Sequence, residues 1–294
     1  MTLARQAALL AVAMAFVVAS GVGASDREPS PEVAQRVVTL SPHLAELVFA
    51  VGAGDSLVGV SAYSDYPEDV SALPQVGDAF MVDQERLALL EPDLILAWDS
   101  GTPAATVDAL RKQGYVVERI RTRTLADIAA AIDTIGRRTG REQAASAVRA
   151  QFESQLAELA PADEGSAPIR VFYQIAERPL YTVSGNHYAS ELIDRCGGRN
   201  IFADLGDLAP MVSEEAVLAR DPEVIIAGGD ESAIGSLFDH WRRWEGLAAT
   251  RLDNYYVVNA DLLGRPSDRL ALAGVEICAQ LSRAIARREH MASE

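Results

Sequence analysis

The 294 residues predict an α/β protein of two lobes, each with a parallel sheet, joined by one long α-helix. Three observations predict it. From Arg36 onward, short β-branched runs alternate with helical stretches, the pattern of a parallel sheet with crossover helices. The unit is duplicated by an internal repeat of about 130 residues. Between the copies lies a single amphipathic stretch with helical spacing and no glycine or internal proline.

The chain opens with MTLARQAALLAVAMAFVVASGVGAS, in which Arg5 precedes an apolar run from Ala7 to Ala19 and Val22-Gly23-Ala24 offers small residues for cleavage. Residues 1–24 therefore read as a secretory signal peptide. A membrane anchor is the alternative, but the run falls short of the roughly 20 apolar residues that span a bilayer. The mature chain is expected to begin near Ser25, with 25–35 as a short N-terminal segment. No cysteine stands at the cleavage site, so lipid attachment there is chemically excluded.

The first lobe, expected over 36–137, begins with the strand RVVTL, a turn at Ser41-Pro42 and the apolar-periodic HLAELVFAVGAG. Pro42 suits a first helical turn, and Gly52 or Gly54 suits the left-handed residue after its end. Gly52-Ala53-Gly54 is no dinucleotide fingerprint, because it follows a helix and lacks the third glycine. LVGVS, DLILAW and YVVERI continue as strands. QERLALLEPDLILAW, from Gln84 to Trp98, then recurs as EEAVLARDPEVIIAG, from Glu214 to Gly228, with Glu85 and Glu215 in register, as are Pro92 and Pro222. Each copy has its own opening strand, RVVTL at Arg36 and RVFYQI at Arg170.

A linking helix is expected over 138–162, with Ala144, Val148, Phe152, Gln155 and Leu159 on its apolar side. The loop ADEGSAP marks the boundary of the second lobe, 163–288, and 289–294 read as a polar tail. A helix connects two lobes more stiffly than paired flexible strands. Limited hinge motion is the expectation.

Net charge is −16, and becomes −17 when Arg5 leaves with the leader. Such a surface repels nucleic acid and anionic membrane, and suits either a basic partner or simple solubility. Cys196 and Cys278 are the only cysteines, and export places them in an oxidising compartment. A disulfide is expected, with two buried thiols as the alternative. No HExxH, GxSxG or glycine-lysine phosphate loop is present, and the four histidines, His43, His187, His240 and His290, have no zinc-site spacing.

Glu85 and Glu215 open matching helices, where a carboxylate is stabilised by the macrodipole. Capping explains each one singly. Their recurrence on both lobes favours a pair of exposed anchors. Pro42, His43, Tyr63, Phe80, Trp98, Tyr181, Asp261 and Arg265 fall just beyond strand ends, where α/β sheets hold ligands. Core burial is the commoner fate of any one aromatic. As a set they read as a cleft for a large, flat, partly polar ligand, with Asp261 and Arg265 hydrogen-bonding amides or phosphate.

RVVTLSPHLAEL, VGVSAYSDYP, QERLALLEPDLILAW, ELIDRCGGRNIF and MVSEEAVLARDP together resemble the cobalamin-binding members of the helical-backbone (class III) periplasmic solute-binding proteins of ABC importers. The resemblance runs from about Arg36 to Leu281. It implies two Rossmann-like lobes, residence in the periplasm, no catalysis and no cofactor of the protein's own. It further implies a monomer that carries a corrinoid to membrane permease subunits with their ATPase. By the same resemblance Pro42, Tyr63, Trp98, Asp261 and Arg265 line the cleft, Glu85 and Glu215 dock into arginine pockets of the permease, and Cys196 pairs with Cys278. Ala79 beside Phe80, and Ala209 before Pro210, depart from the pattern at positions where the best-known member has tryptophan. That leaves haem or a ferric siderophore as the alternative ligand. His187 is then either an axial ligand to the cargo's cobalt or iron, or a helix-start residue.

Overall fold

The computed structural model describes residues 33–78, 81–161, 165–229 and 234–293, so the leader and Phe80 lie outside it. The first sheet holds β1 (Val37–Thr39), β2 (Leu57–Gly59), β3 (Leu94–Trp98) and β4 (Val117–Ile120), all parallel, in the order β2-β1-β3-β4. The second holds β5 (Ile169–Gln174), β8 (Gly198–Asn200), β9 (Val224–Gly229) and β10 (Tyr255–Asn259), again all parallel, in the order β8-β5-β9-β10. Counted within each lobe, the two orders are the same. The duplication read from sequence therefore extends to topology. Between β5 and β8 runs a short antiparallel hairpin, β6 (Ala176–Glu177) and β7 (Leu180–Tyr181).

Strands covered on both faces need near-continuous apolar sequence, which VVTL, LILAW and VIIAGG supply. Alternate residues of β3 divide between the faces: Leu94 and Leu96 join one apolar cluster, Ile95 and Ala97 another. The second face of the first sheet is covered by α2 (Gln84–Leu90) and α3 (Ala104–Lys112), through Leu87, Val107 and Leu110. In the second lobe, α7 (Glu214–Arg220) and α8 (Ile234–Arg242) do the same through Val217, Phe238 and Trp241.

The remaining faces meet. One apolar cluster runs from Leu44 and Val48 of α1 (Pro42–Ala50) and Ile128, Ile132 and Ile135 of α4 (Leu125–Thr139), through Phe152 and Leu156 of α5 (Glu142–Ala157). It continues to Leu192 of α6 (Tyr188–Arg195) and Ile277 and Leu281 of α11 (Leu270–Ser293). The lobes thus share a core, and α5 is its centre strip, packed on α4 and α11.

Three sequence expectations need correction here. The linking helix is shorter than 138–162, because residues 138–139 belong to α4, which ends on left-handed Gly140 at φ 67°. Its buried seam is Ala145, Val148, Phe152 and Leu156, whereas Ala144 is exposed. Residues 289–293 are the end of α11 rather than a tail, since nothing in 275–293 interrupts the helix. As expected, Pro42 is the first helical residue of α1, and Gly52 takes the left-handed position after it at φ 74°. Cys196, the C-cap of α6, is bonded to Cys278 in α11.

Candidate ligand cleft

In each sheet the chain reverses direction beside the first strand, between β1 and β3 and between β5 and β9. Loops diverge at such a point and leave a crevice at the carboxyl ends. In the first lobe this crevice is furnished by Pro42 and His43, directly after β1, and by Trp98, the last residue of β3. The His43 ring meets Trp98 edge-on at 5.1 Å between centroids. Its Nδ1 shares a hydrogen bond of 2.8 Å with the Ser41 hydroxyl. Its Nε2, and the Trp98 indole nitrogen, are buried without a protein partner. Orphaned polar atoms are rare in folded proteins, and here they sit at the predicted ligand position.

Tyr63 stands in the loop after β2, 80% exposed, on a left-handed backbone at φ 65°. A bulky residue rarely adopts that conformation, which costs about 1 to 3 kcal/mol and is typical of functional loops. In the second lobe, Tyr181 of the β6–β7 hairpin is 36% exposed, and its backbone bridges Met211. The structure thus places Pro42 and His43 in the first turn of α1, Trp98 at the end of β3, Tyr63 in the loop after β2 and Tyr181 in the β6–β7 hairpin, all toward the carboxyl ends of the two sheets, with His43 buried.

Arg265 is differently engaged. Its guanidinium donates to Glu46 of α1 at 3.2 Å, to Asp65 of the β2 loop, and pairs with Asp261 at 2.9 Å. Glu46 is only 2% exposed and also accepts from the Ser267 hydroxyl at 2.7 Å and faces Arg269 at 3.3 Å. Arg269 in turn lies 3.6 Å over the Tyr66 ring. This cluster ties the first lobe to the second. Burial raises the Glu46 carboxyl, against the opposing pull of Ser267, Arg269 and Arg265. The hydrogen bond from Arg265 holds Asp65 below the usual carboxylate range. Burial disfavours the charge on Arg265, yet its bonds to Asp65 and Glu46 hold it more firmly protonated than an ordinary arginine. Asp261 and Asp65, 62% and 59% exposed, are the carboxylates of the cluster open to solvent. Asp65, Ser267 and Arg269 escaped the sequence reading. Glu46, alone among apolar residues in HLAELVFA, was the available signal.

His187 is the N-cap of α6, and its Nδ1 accepts from the Ala189 amide at 3.1 Å. That is the helix-start role, and it leaves only Nε2 for any other partner. Among the described residues no group of three or more His, Cys, Asp and Glu side chains is placed to hold a metal ion. Glu85 and Glu215 are exposed at the second positions of α2 and α7. These helices are twins: each has seven residues, a side-chain N-cap (Asp83 or Ser213) and a left-handed C-cap (Glu91 or Asp221, both at φ 43°).

Burial lowers the pKa of His43 to about 3, aided by Arg265, and burial lowers that of His187 to about 4. Both rings are neutral in the native protein, but protonate in the unfolded chain below about pH 6.5. A depressed native pKa means stability that is complete above pH 6.5 and lost as pH falls towards 3 to 4. By pH 5 the loss is about 2 kcal/mol per histidine. Urea unfolding at pH 7 and pH 5 should show it, and His43→Gln should remove about half of the histidine share. An unchanged pH difference in the variant would refute the assignment.

The periplasmic binding protein family matches residues 37–262. The vitamin B12-binding protein of Vibrio cholerae serotype O1 is 36% identical over 252 residues, covering 85% of this chain and 90% of that protein. That of Pectobacterium atrosepticum is 35% identical over 255 residues, covering 85% and 89%. The crystal structure of the periplasmic vitamin B12 binding protein BtuF of Vibrio cholerae matches with a TM-score of 0.75 at 35% identity, over 85% of this chain and 98% of that one. The periplasmic heme-binding protein RhuT from Roseiflexus matches with a TM-score of 0.73 at 22% identity, over 85% and 99%, a likeness of fold alone. With the family match spanning most of the sequence, and two parallel-sheet lobes sharing one helical core, the chain belongs to the periplasmic binding protein family.

Proposed function

We propose that this chain is the exported, unanchored solute-binding component of an ABC importer, and that it captures a corrinoid between its lobes. Delivery is to the membrane permease subunits, through Glu85 on one lobe and Glu215 on the other. One observation carries the choice of corrinoid: identity of 33–36% to vitamin B12-binding proteins over some 85% of the chain, against 22% to a heme-binding protein that shares only the fold. The site's chemistry agrees. Tyr63, Trp98 and Tyr181 offer flat apolar contact, while the exposed Asp261 carboxylate offers hydrogen bonds to peripheral amides. On this reading the protein is a carrier that returns its ligand unchanged. The protein acts as a monomer. Calorimetry with cyanocobalamin and with cobinamide should give one ligand per chain. Absence of heat with both would overturn the reading.

A further inference from the structure

Six of the exposed large apolar side chains among the described residues, Tyr63, Tyr66, Met81, Ile175, Tyr181 and Met211, lie in the segments that follow β2, β5 and β8 at the carboxyl ends of the two sheets. Concentrated exposure of this kind marks a binding surface. Two of the six belong to the internal repeat. MVDQE at Met81 and MVSEE at Met211 are in register, and each methionine stands two residues ahead of the N-cap of its twin helix.

The backbones around them are fixed. Met81 donates its amide to the Asp78 carboxylate at 2.7 Å, and its carbonyl accepts from the Asp78 amide at 2.9 Å. Gly77 at φ 105° allows this turn, because a Cβ there would lie 2.0 Å from the Met81 carbonyl oxygen. Gly77 in turn accepts from the Ala62 amide, which secures the Met81 turn to the loop that carries Tyr63. Met211 bridges Tyr181, flanked by Thr182 N to Pro210 O at 3.1 Å and Val212 N to Leu180 O at 3.0 Å. Each lobe therefore holds one methionine beside one cleft tyrosine. The side chains are nevertheless 77% and 66% exposed. A rigid mount with an uncovered, pliable thioether serves contact with something absent from the free chain.

We propose that Met81 and Met211 are a matched pair of ligand contacts, one from each lobe, that pack their thioethers on the apolar surface of the bound corrinoid. The inference rests on the corrinoid reading above. Methionine suits such a ligand, since its unbranched, polarizable side chain adapts to an irregular face and to small changes in lobe separation.

The third methionine beyond the leader, Met291, is 52% exposed near the end of α11 and serves as an internal control. The test is hydrogen-peroxide footprinting of the mature protein with and without saturating cyanocobalamin, read by peptide mass spectrometry. Cyanocobalamin should slow sulfoxide formation at Met81 and Met211 by at least about fivefold and leave Met291 unchanged. Met81→Ala/Met211→Ala should weaken cyanocobalamin binding by about thirtyfold, and Met81→Leu/Met211→Leu by no more than about threefold. Equal oxidation with and without ligand, or wild-type affinity in the alanine pair, would overturn the proposal and assign the methionines to the docking rim beside Glu85 and Glu215. Wild-type protein that binds no cyanocobalamin would overturn the corrinoid reading, and this inference with it.

Discussion

Replacing Glu85 and Glu215 together with alanine is expected to abolish import while cyanocobalamin affinity stays at the wild-type level. Both carboxylates are exposed on twin seven-residue helices, and neither is part of the lobe-joining charge cluster around Arg265. At a docking surface each would meet an arginine in a bidentate, partly desolvated pair. Removing one partner leaves the facing guanidinium unpaired, a loss of about 2 to 5 kcal/mol, or at least tenfold in docking. Uptake by vesicles containing the transporter, beside calorimetry on the purified variant, measures both halves. Normal uptake would reduce the pair to helix-start carboxylates. Lost ligand binding would move them into the cleft.

The second large effect concerns stability. The Cys196–Cys278 bond closes a loop of 82 residues, joins α6 to α11, and lies within the core the lobes share. On the chain-entropy account, Cys196→Ala/Cys278→Ala should lower unfolding free energy by about 4 to 5 kcal/mol, and Tm by about 10 °C or more. Urea unfolding of the variant and of reduced wild-type protein should agree. A change below about 1 kcal/mol would mean that the packing of α6 on α11 alone fixes the junction.

The start of α1 and its end were legible in the sequence because single residues dictate them. Pro42 can start a helix but not continue one, and Gly52 takes a backbone conformation that other residues resist. The repeat was legible for a similar reason, since the Glu85 and Glu215 segments keep cap, helix length and proline in register. The seam of α5 was misjudged by one position because Ala144 and Ala145 are interchangeable in composition, and only packing against α4 and α11 distinguishes them. The shared core was hidden for a related reason. The apolar sides of α4, α6 and α11 read equally well as interiors of separate lobes.

The charge cluster was the least legible part. Glu46 and Arg265 stand 219 residues apart, so nothing local announces that one neutralises the other. Arg265 is expected from the sequence to hydrogen-bond the ligand, whereas in the free protein its guanidinium serves three carboxylates. Glu46→Ala would leave Arg265 and Arg269 without their buried counter-charge, the kind of change that costs about 3 to 5 kcal/mol.

The central claim is selectivity for a corrinoid over a porphyrin on a fold that serves both in its relatives. The most direct measurement is equilibrium dialysis of the mature protein against equal concentrations of cyanocobalamin and haemin, read from the absorption spectrum of the retained ligand. Cyanocobalamin should be retained at one equivalent per chain, with haemin largely excluded. Retention of haemin with cyanocobalamin left in the dialysate would contradict it.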